Sequence, residues 1–380
     1  MGNHQGWAFP GRSGRYHFTA DIAPCADLRA TSIVTTEEAV ETTFTGKRNK
    51  RGDWRPDEVL GYAPVLVWPP RPMAFLRWLF GYPGYFLPWG IVYMAFPVIT
   101  WLWFTPPMSE MTTFRPGWIA YILLRNAILI ALVLGAWHLR LHVLRAQGTD
   151  FKYTDKWMAR DKPQFMFSNQ VLDNLFWTFV SGVPFWTAWE VVTMWLYANK
   201  LIPYVDWREH PIYCVAMMAI IPVLRDLHFY LIHRLIHWKP LYDHVHRIHH
   251  TNVDVGPITG LSMHPVEHLL YWSGVAIHWI VPSHPIHAIF HLQHAALTPA
   301  QGHAGFERVV LHQGVAVKTH DFFHYLHHKY FECNYGADGV LPLDKWFGTF
   351  NDGTPASIDA MNQRFIAAAR KRRTATERVS

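Results

Sequence analysis

The sequence predicts an all-α fold: a polytopic membrane helix bundle with a cytoplasmic, histidine-rich helical cap. Three observations carry this expectation. Half of the 380 residues are hydrophobic and only 16% are charged, against roughly 25% charged in soluble domains. Long stretches without Asp, Glu, Lys or Arg recur along the chain, and 20 of its 25 histidines fall between His228 and His328. The aromatic content of 16% suits side chains that meet a membrane interface with one wet and one dry end.

Residues 1–72 are polar and lack a sustained apolar period, so they read as a loose N-terminal region without the apolar core of a secretory signal. Membrane spans are expected over 73–210. Trp78 to Phe104 is free of charge over 27 residues, more than the roughly 20 a helix needs to cross the hydrocarbon core. Its prolines Pro83, Pro88 and Pro97 imply kinks or a late start. A second span runs from about Trp118 to Leu144, and a third from Leu175 to Asn199 with Glu190 as its single acid. Residues 211–350 hold a fourth span, starting near Ile212, and the histidine-rich region. Within it, Leu269 to Phe306 carries no charged residue and suits two short helices that turn at the Pro282–Pro285 corner, either spanning the bilayer or dipping into it. Residues 351–380 form a basic tail, in which Arg370, Lys371, Arg372 and Arg373 follow an apolar pattern of Ile358, Met361, Phe365 and Ile366. That pattern fits either a helix on anionic headgroups or a solvated end.

Basic residues set the orientation. Lys47, Arg48, Lys50, Arg51, Arg55, Arg71 and Arg77 precede the first span, and Arg145, Lys152, Lys156, Arg160 and Lys162 follow the second, whereas the loop between those spans has only Arg115. Both termini, the 145–174 connection and the histidine region are therefore expected in the cytoplasm. The formal charge of +6 follows this membrane pattern, and no basic stripe interleaved with aromatics points to nucleic acid. Cys25, Cys214 and Cys333 are too few and too scattered for a disulfide framework or a CxxC site.

The histidines are patterned. His233 and His237 in HRLIH lie four apart, while His246, His249 and His250 in HRIHH and His324, His327 and His328 in HYLHH are spaced i, i+3, i+4. On helices each set shares a face. Neutral imidazole ligates iron, zinc, copper or nickel, and eight imidazoles exceed what one four- or six-coordinate ion takes, so the count predicts two metals. Asp226, Asp243, Glu267, Asp321 and Asp344 are spaced to orient such ligands through the second ring nitrogen, or to serve as caps and surface charges. Asn334 fits a metal-bound water or a turn, and Glu190 a polar contact in a lipid path or a helix contact.

These boxes, with LYDHVHRIHH, MHPVEH, HHKYFECNYG and LDKWFGT around them, resemble those of the fatty acid hydroxylase and sterol desaturase superfamily of membrane di-iron oxygenases over about Pro222 to Thr349. The resemblance implies two iron ions held by His233, His237, His246, His249, His250, His324, His327 and His328, with His264 of MHPVEH and His303 of GHAGF as further ligands. His268 and His228 are weaker candidates. His278, His284, His287, His291 and His294 suit interfacial or helix-packing roles, and His244 and His320 sit beside the boxes but outside them. It further implies dioxygen as co-substrate, a sterol-like or long-chain lipid drawn from the bilayer as substrate, and hydroxylation or desaturation of that lipid. Electrons would come from a separate electron-transfer protein or reductase, since no dinucleotide fingerprint or fused redox domain is present. Two other readings compete: a zinc-dependent membrane hydrolase, for which HExxH is lacking, and a non-catalytic metal-binding membrane protein, which calls for ligands at mid-span rather than at span ends.

Overall fold

Proline placement and apolar length decide where the helices begin and end. The computed structural model describes residues 45–57, 63–312 and 315–377, so most of the loose region expected over 1–72 lies outside the described residues. A short antiparallel pair, β1 (Gly46–Arg48) and β2 (Trp54–Pro56), comes first. Helix α1 (Pro72–Phe80) starts on a proline, whose missing N–H costs nothing in a first turn. Residues 81–88, with Pro83 and Pro88, interrupt the chain before α2 (Trp89–Trp103). At 15 residues α2 is about 22 Å long, short of the ~30 Å hydrocarbon core. The first expected span thus starts late, because proline fixes φ and cannot supply the helical N–H.

Helix α3 (Pro116–His138) runs on through a π-helical turn, Leu139–Val143, as one apolar helix of 28 residues. Helix α4 (Gln170–Trp177) is capped by Asn169, whose side chain accepts from the N–H groups of Val171 and Leu172. A π-helical turn, Thr178–Gly182, joins it to α5 (Val183–Ala198) just before Pro184, which cannot donate to the turn behind it. Helix α6 (Pro211–Ile236) carries the first histidine box at its C-terminal end. Among the described residues, α3 with its π-helical extension and α6 are the two helices long and apolar enough to cross a membrane. Their outer faces are unpaired with protein: Leu124, Leu132, Ile212, Val215 and Leu231 are each more than half exposed, as lipid-facing side chains would be.

Three short segments follow: α7 (Lys239–Leu241), a π-helical turn over Tyr242–His246, and α8 (Arg247–His250). Helix α9 (Pro265–Trp272) leads through a 3-10 turn, Ser273–Trp279, to the corner at Pro282–Pro285 and then α10 (Pro285–Gly302). The paired-helix expectation for 269–306 therefore matches the observed elements. The reason for the missing charge is burial by protein: α10 packs on α2, α3, α5 and α6, and every residue from Pro285 to Gln293 is buried. His284 caps α10, its Nδ1 accepting from the Ile286 N–H, while His287 donates from Nε2 to the Cys214 carbonyl and accepts at Nδ1 from the His284 N–H. His278 and His291 approach each other to 3.3 Å between ring nitrogens. These are helix-packing positions.

The chain closes with the hairpin β3 (Arg308–His312) and β4 (Val315–Lys318), then α11 (Phe322–Tyr330), α12 (Leu343–Trp346) and α13 (Pro355–Glu377). In α13 Met361 is buried, and its sulfur accepts from the Asn351 amide at 3.4 Å, so the apolar pattern of the tail is partly used within the protein. The side chains of Lys371, Arg372 and Arg373 lie outside the described residues.

Glu190 corrects one expectation. It does not offer a polar contact to a lipid path. Its carboxylate accepts from Arg125 Nη2 and, at 3.0 Å, from Asn126 Nδ2, joining α5 to α3 in a fully buried ion pair. Arg125 is also bonded to the Asn126 side chain and the Phe104 carbonyl. A buried carboxylate without such partners would be costly, and the pairing is what makes the acid tolerable within a span.

Candidate metal centre

The three boxes meet at the C-terminal end of α6. His233 lies on its last turn and His237 at its C-cap; His246 ends the π-helical turn before α8, which carries His249 and His250; α11 carries His324, His327 and His328. Nine ring nitrogens gather into two groups, His233, His237, His246, His250 and His327 in one, and His249, His303, His324 and His328 in the other. Within each group the ligand atoms lie within 4.8 Å of one another. Two imidazoles each about 2.1 Å from one ion stand at most about 4.2 Å apart, so small side-chain shifts suffice to close either group on a cation.

The boxes divide between the groups in a regular way. His246 and His250, spaced i, i+4, enter the first group while His249 enters the second; His324 and His328 enter the second while His327 enters the first. The two groups therefore interlock through both boxes. The rings of His250 and His328 lie 5.0 Å apart across the boundary.

Second partners fix the ring tautomers. His233 Nδ1 donates to the Tyr335 carbonyl at 2.6 Å, His327 Nδ1 to the Cys333 carbonyl at 2.6 Å, His303 Nδ1 to the Pro299 carbonyl at 3.0 Å and His249 Nδ1 to the Ser262 carbonyl at 3.2 Å. His246 Nδ1 donates to Glu267 Oε1 at 2.8 Å. A carbonyl can only accept, so His233, His327, His303 and His249 keep their protons on Nδ1 and turn an Nε2 lone pair inward. His249 and His303 thereby face each other with Nε2 atoms 3.4 Å apart, and His246 Nε2 is buried without a partner. Converging lone pairs repel unless a cation lies between them. The donor set fits two divalent metal ions of the imidazole-binding kind.

Burial keeps the rings neutral, as ligation requires. Desolvation pushes His246, His250, His303, His324, His327 and His328 well below the usual imidazole range and His249 down to about 4. It also pushes Glu267 well above the carboxylate range. The unfolded chain binds a proton at His249 below about pH 6.5 that the folded chain refuses until about pH 4. Stability is therefore complete above pH 6.5 and declines as pH falls through that window. Thermal unfolding midpoints of chelator-treated protein, measured from pH 8 to pH 4, should stay level and then drop below about 6.5; a flat profile would contradict the burial of neutral rings.

Other expected residues lie elsewhere. His264 is outside both groups. Pro265 holds the residue before it in an extended conformation, so His264 sits ahead of α9 as its N-cap, accepting from the Val266 N–H at 3.2 Å with its ring beside Trp177. In MHPVEH it is Glu267 that reaches the centre. His268 is buried against Ser181 Oγ at 2.9 Å and the Leu261 carbonyl, and His228 contacts Ser273 Oγ. His244 and His320 are exposed. Asp243 is exposed and paired with Lys239, so it orients no ligand. Asp321 accepts from the Gly305 N–H and steadies the turn after His303. Asp344 accepts from the N–H groups of Tyr335 and Gly336 and from Thr349, clamping the loop whose carbonyls hold His233 and His327. Asn334, with φ 52°, ties that same loop to Phe323 and Asn351, which answers its ambiguity in favour of the turn. Backbone carbonyls as orienting groups leave no residue-type signal, so sequence reading could not have found Cys333, Tyr335 or Ser262.

Replacing Glu267 with alanine removes the sole partner of His246 Nδ1. Metal affinity should fall about 10- to 100-fold, read by competition with a chelating dye; unchanged affinity would show that the carboxylate does not orient the ligand.

A cavity of about 450 Å³ opens on the centre, lined by His233, His246, His249, His303 and His324 together with Trp78, Tyr85 and Trp89. Its size is in the range of small-molecule sites.

Comparison with known proteins agrees with this geometry. Residues 218–349 match the family model for fatty acid hydroxylase. A Delta(7)-sterol 5(6)-desaturase of Aspergillus fumigatus is 30% identical over 147 residues, 37% of this chain and 40% of that protein. One of Candida glabrata is 28% identical over 171 residues, 43% of this chain and 45% of that protein. Methylsterol monooxygenase 1 of Gallus gallus is 27% identical over 160 residues, 39% of this chain and 51% of that protein. The chain thus spans about half the length, or less, of these relatives. No solved structure matches. All nine gathered histidines fall inside residues 218–349, the segment that matches the family model for fatty acid hydroxylase.

Proposed function

We propose that this chain is a membrane-embedded di-iron oxygenase that hydroxylates or desaturates a sterol-like or long-chain lipid, using dioxygen and electrons from a separate carrier. The observation that carries the reading is the pair of interlocked imidazole groups facing a cavity of about 450 Å³. His233, His237, His246, His250 and His327 would hold one iron and His249, His303, His324 and His328 the other. Iron held there would supply the activation of dioxygen that breaking an unactivated C–H bond demands. The protein's part is to present neutral Nε2 atoms, to hold each ring by its Nδ1 proton, and to keep water from the cavity. Glu267 holds the His246 proton, and the 333–336 loop those of His327 and His233.

The topology is part of the proposal. The long apolar helices α3 and α6 each cross the bilayer towards the cytoplasm, and α2 and the α4–α5 segment carry the chain across before them, so that both termini, the 145–174 connection and the histidine boxes lie on the cytoplasmic side. Supporting this, the basic 145–174 connection packs on the segment after His303: the Tyr153 N–H donates to the Gly305 carbonyl and its hydroxyl to Glu307. The functional division is a spanning region, 73–210, followed by a catalytic region, 211–350, that holds further membrane helix, with a polar N-terminal region and a basic C-terminal tail at the ends.

Metal analysis of purified protein with parallel oxygen uptake tests the reading. Two irons per chain and lipid-dependent, reductant-dependent oxygen consumption are expected. Zinc alone with lipid hydrolysis would overturn it in favour of a hydrolase, and bound metal without turnover of any lipid in favour of a non-catalytic metal protein.

A further inference from the structure

Arg125 in α3 and Arg225 in α6 lie well inside the long apolar helices, and they are satisfied very differently. Arg125 in α3 is saturated by Glu190, Asn126 and the Phe104 carbonyl. Arg225 in α6 is not. Its Nη2 donates to the Tyr271 hydroxyl at 2.8 Å, but its Nε is buried with no hydrogen-bond partner, and Asp226 Oδ1 stands 3.7 Å from Nη1, beyond hydrogen-bonding range. Asp226 is itself engaged, accepting from the Val340 N–H at 2.7 Å. A guanidinium with five donors, enclosed in protein and mostly unpaired, is expensive unless something occupies the space before it.

That space is the cavity. Arg225, Asp226, Tyr271 and His294 line it together with the apolar Met94 and Phe290. The nearby polar groups are already committed: the Tyr93 hydroxyl donates to Gln301, Trp89 Nε1 to the Lys318 carbonyl and the Tyr271 hydroxyl to the Ala295 carbonyl. His294 is not, with a buried Nδ1 that has no hydrogen-bond partner among the described residues, and Glu267 Oε2, nearer the histidine groups, is likewise without one. Arg225 can only donate, whereas an imidazole can accept through one nitrogen. A group that accepts from the first and donates to the second is a hydroxyl. Asp226 already balances the guanidinium charge, so a carboxylate would bring an uncompensated negative charge into the cavity.

Position adds a measure. Arg225, Phe229 and His233 are spaced i, i+4, i+8, with the guanidinium carbon 4.9 Å from the Phe229 ring centre and that centre 4.8 Å from the His233 ring. Phe229 is thus a spacer between the Arg225 guanidinium and the metal-binding groups, over about 12 Å of helix axis.

We propose that Arg225, supported by Tyr271 and with His294 opposite, is a polar subsite that binds the hydroxyl oxygen of a neutral lipid and so determines which part of that lipid reaches the histidines. The inference rests on the lipid-oxidising reading above, but its test is a binding measurement that needs no turnover. Full-length protein in nanodiscs is titrated with 5α-cholestan-3β-ol and 5α-cholestane, and with 1-octadecanol, octadecane and stearate, affinities being read by displacement of tritiated cholestanol. Each alcohol should bind at least about tenfold more tightly than its hydrocarbon, a difference of about 1.4 kcal/mol, and octadecanol more tightly than stearate. Arg225→Met should bring the alcohol-to-hydrocarbon ratio close to one with hydrocarbon affinity kept. Tyr271→Phe, which removes the support without removing a charge, should reduce the ratio if the methionine variant does not fold. Equal binding of alcohol and hydrocarbon to the unmodified protein, a ratio retained in Arg225→Met, or a preference for stearate would each overturn the proposal. Iron content measured on the same preparations separates the two claims: two irons without an alcohol preference removes the subsite alone, and an alcohol preference without iron removes the oxygenase reading alone.

Discussion

Alanine at His327 should abolish lipid oxidation and lower the bound metal from two ions to one or fewer per chain. His327 joins the first imidazole group from α11, its Nε2 lying 3.1 Å from that of His250, while its Nδ1 is held by the Cys333 carbonyl. Removing a partner behind a ligand costs about 10- to 100-fold in affinity or activity, and removing the ligand should cost at least about 100-fold. The two groups share the α8 and α11 boxes, so emptying the first also loosens the second. Metal stoichiometry by mass spectrometry and lipid-dependent oxygen uptake measure both effects, with membrane insertion as the control. Full activity in the variant would refute the ligand assignment. His264→Ala, by contrast, should leave the metal count unchanged, since that ring caps α9.

The second large effect concerns stability. Glu190→Ala leaves the Arg125 guanidinium buried without its counter-charge, and breaking a buried pair this way costs about 3–5 kcal/mol. Replacing both partners with methionine should recover most of that loss, because the desolvation of two charges disappears with them. Reversible unfolding in detergent, followed by tryptophan fluorescence, reads the difference. The double variant should also keep its lipid turnover, which a group in the substrate path would not permit. If Glu190→Ala were as stable as the native chain, the pair would not be holding α3 to α5.

Much of this centre is legible in residue spacing. HRLIH, HRIHH and HYLHH announce three helical faces rich in imidazole, and all eight of their histidines enter the two groups, as does His303. His264, which only the resemblance implies as a ligand, stands outside both groups because Pro265 holds it extended as the N-cap of α9. Glu190 was ambiguous because its partner Arg125 lies 65 positions away, and no local pattern connects them. The charge-free stretch 269–306 signals exclusion from water, yet exclusion by lipid and exclusion by protein leave the same composition. Only packing distinguishes them, and α10 is enclosed by four helices.

The sequence by itself determined the helical character, the apolar spans, the three boxes and the expectation of two metals, since each depends on periodicity and residue chemistry within a few turns. The tertiary structure alone decided how the boxes divide between two groups, which backbone carbonyls set the ring tautomers, and that Arg225 is left facing a cavity. These depend on where helices distant in sequence cross and where loops such as 333–336 return. A helix dictates which side chains share its face, but the partner that face meets is chosen by the packing of the whole chain.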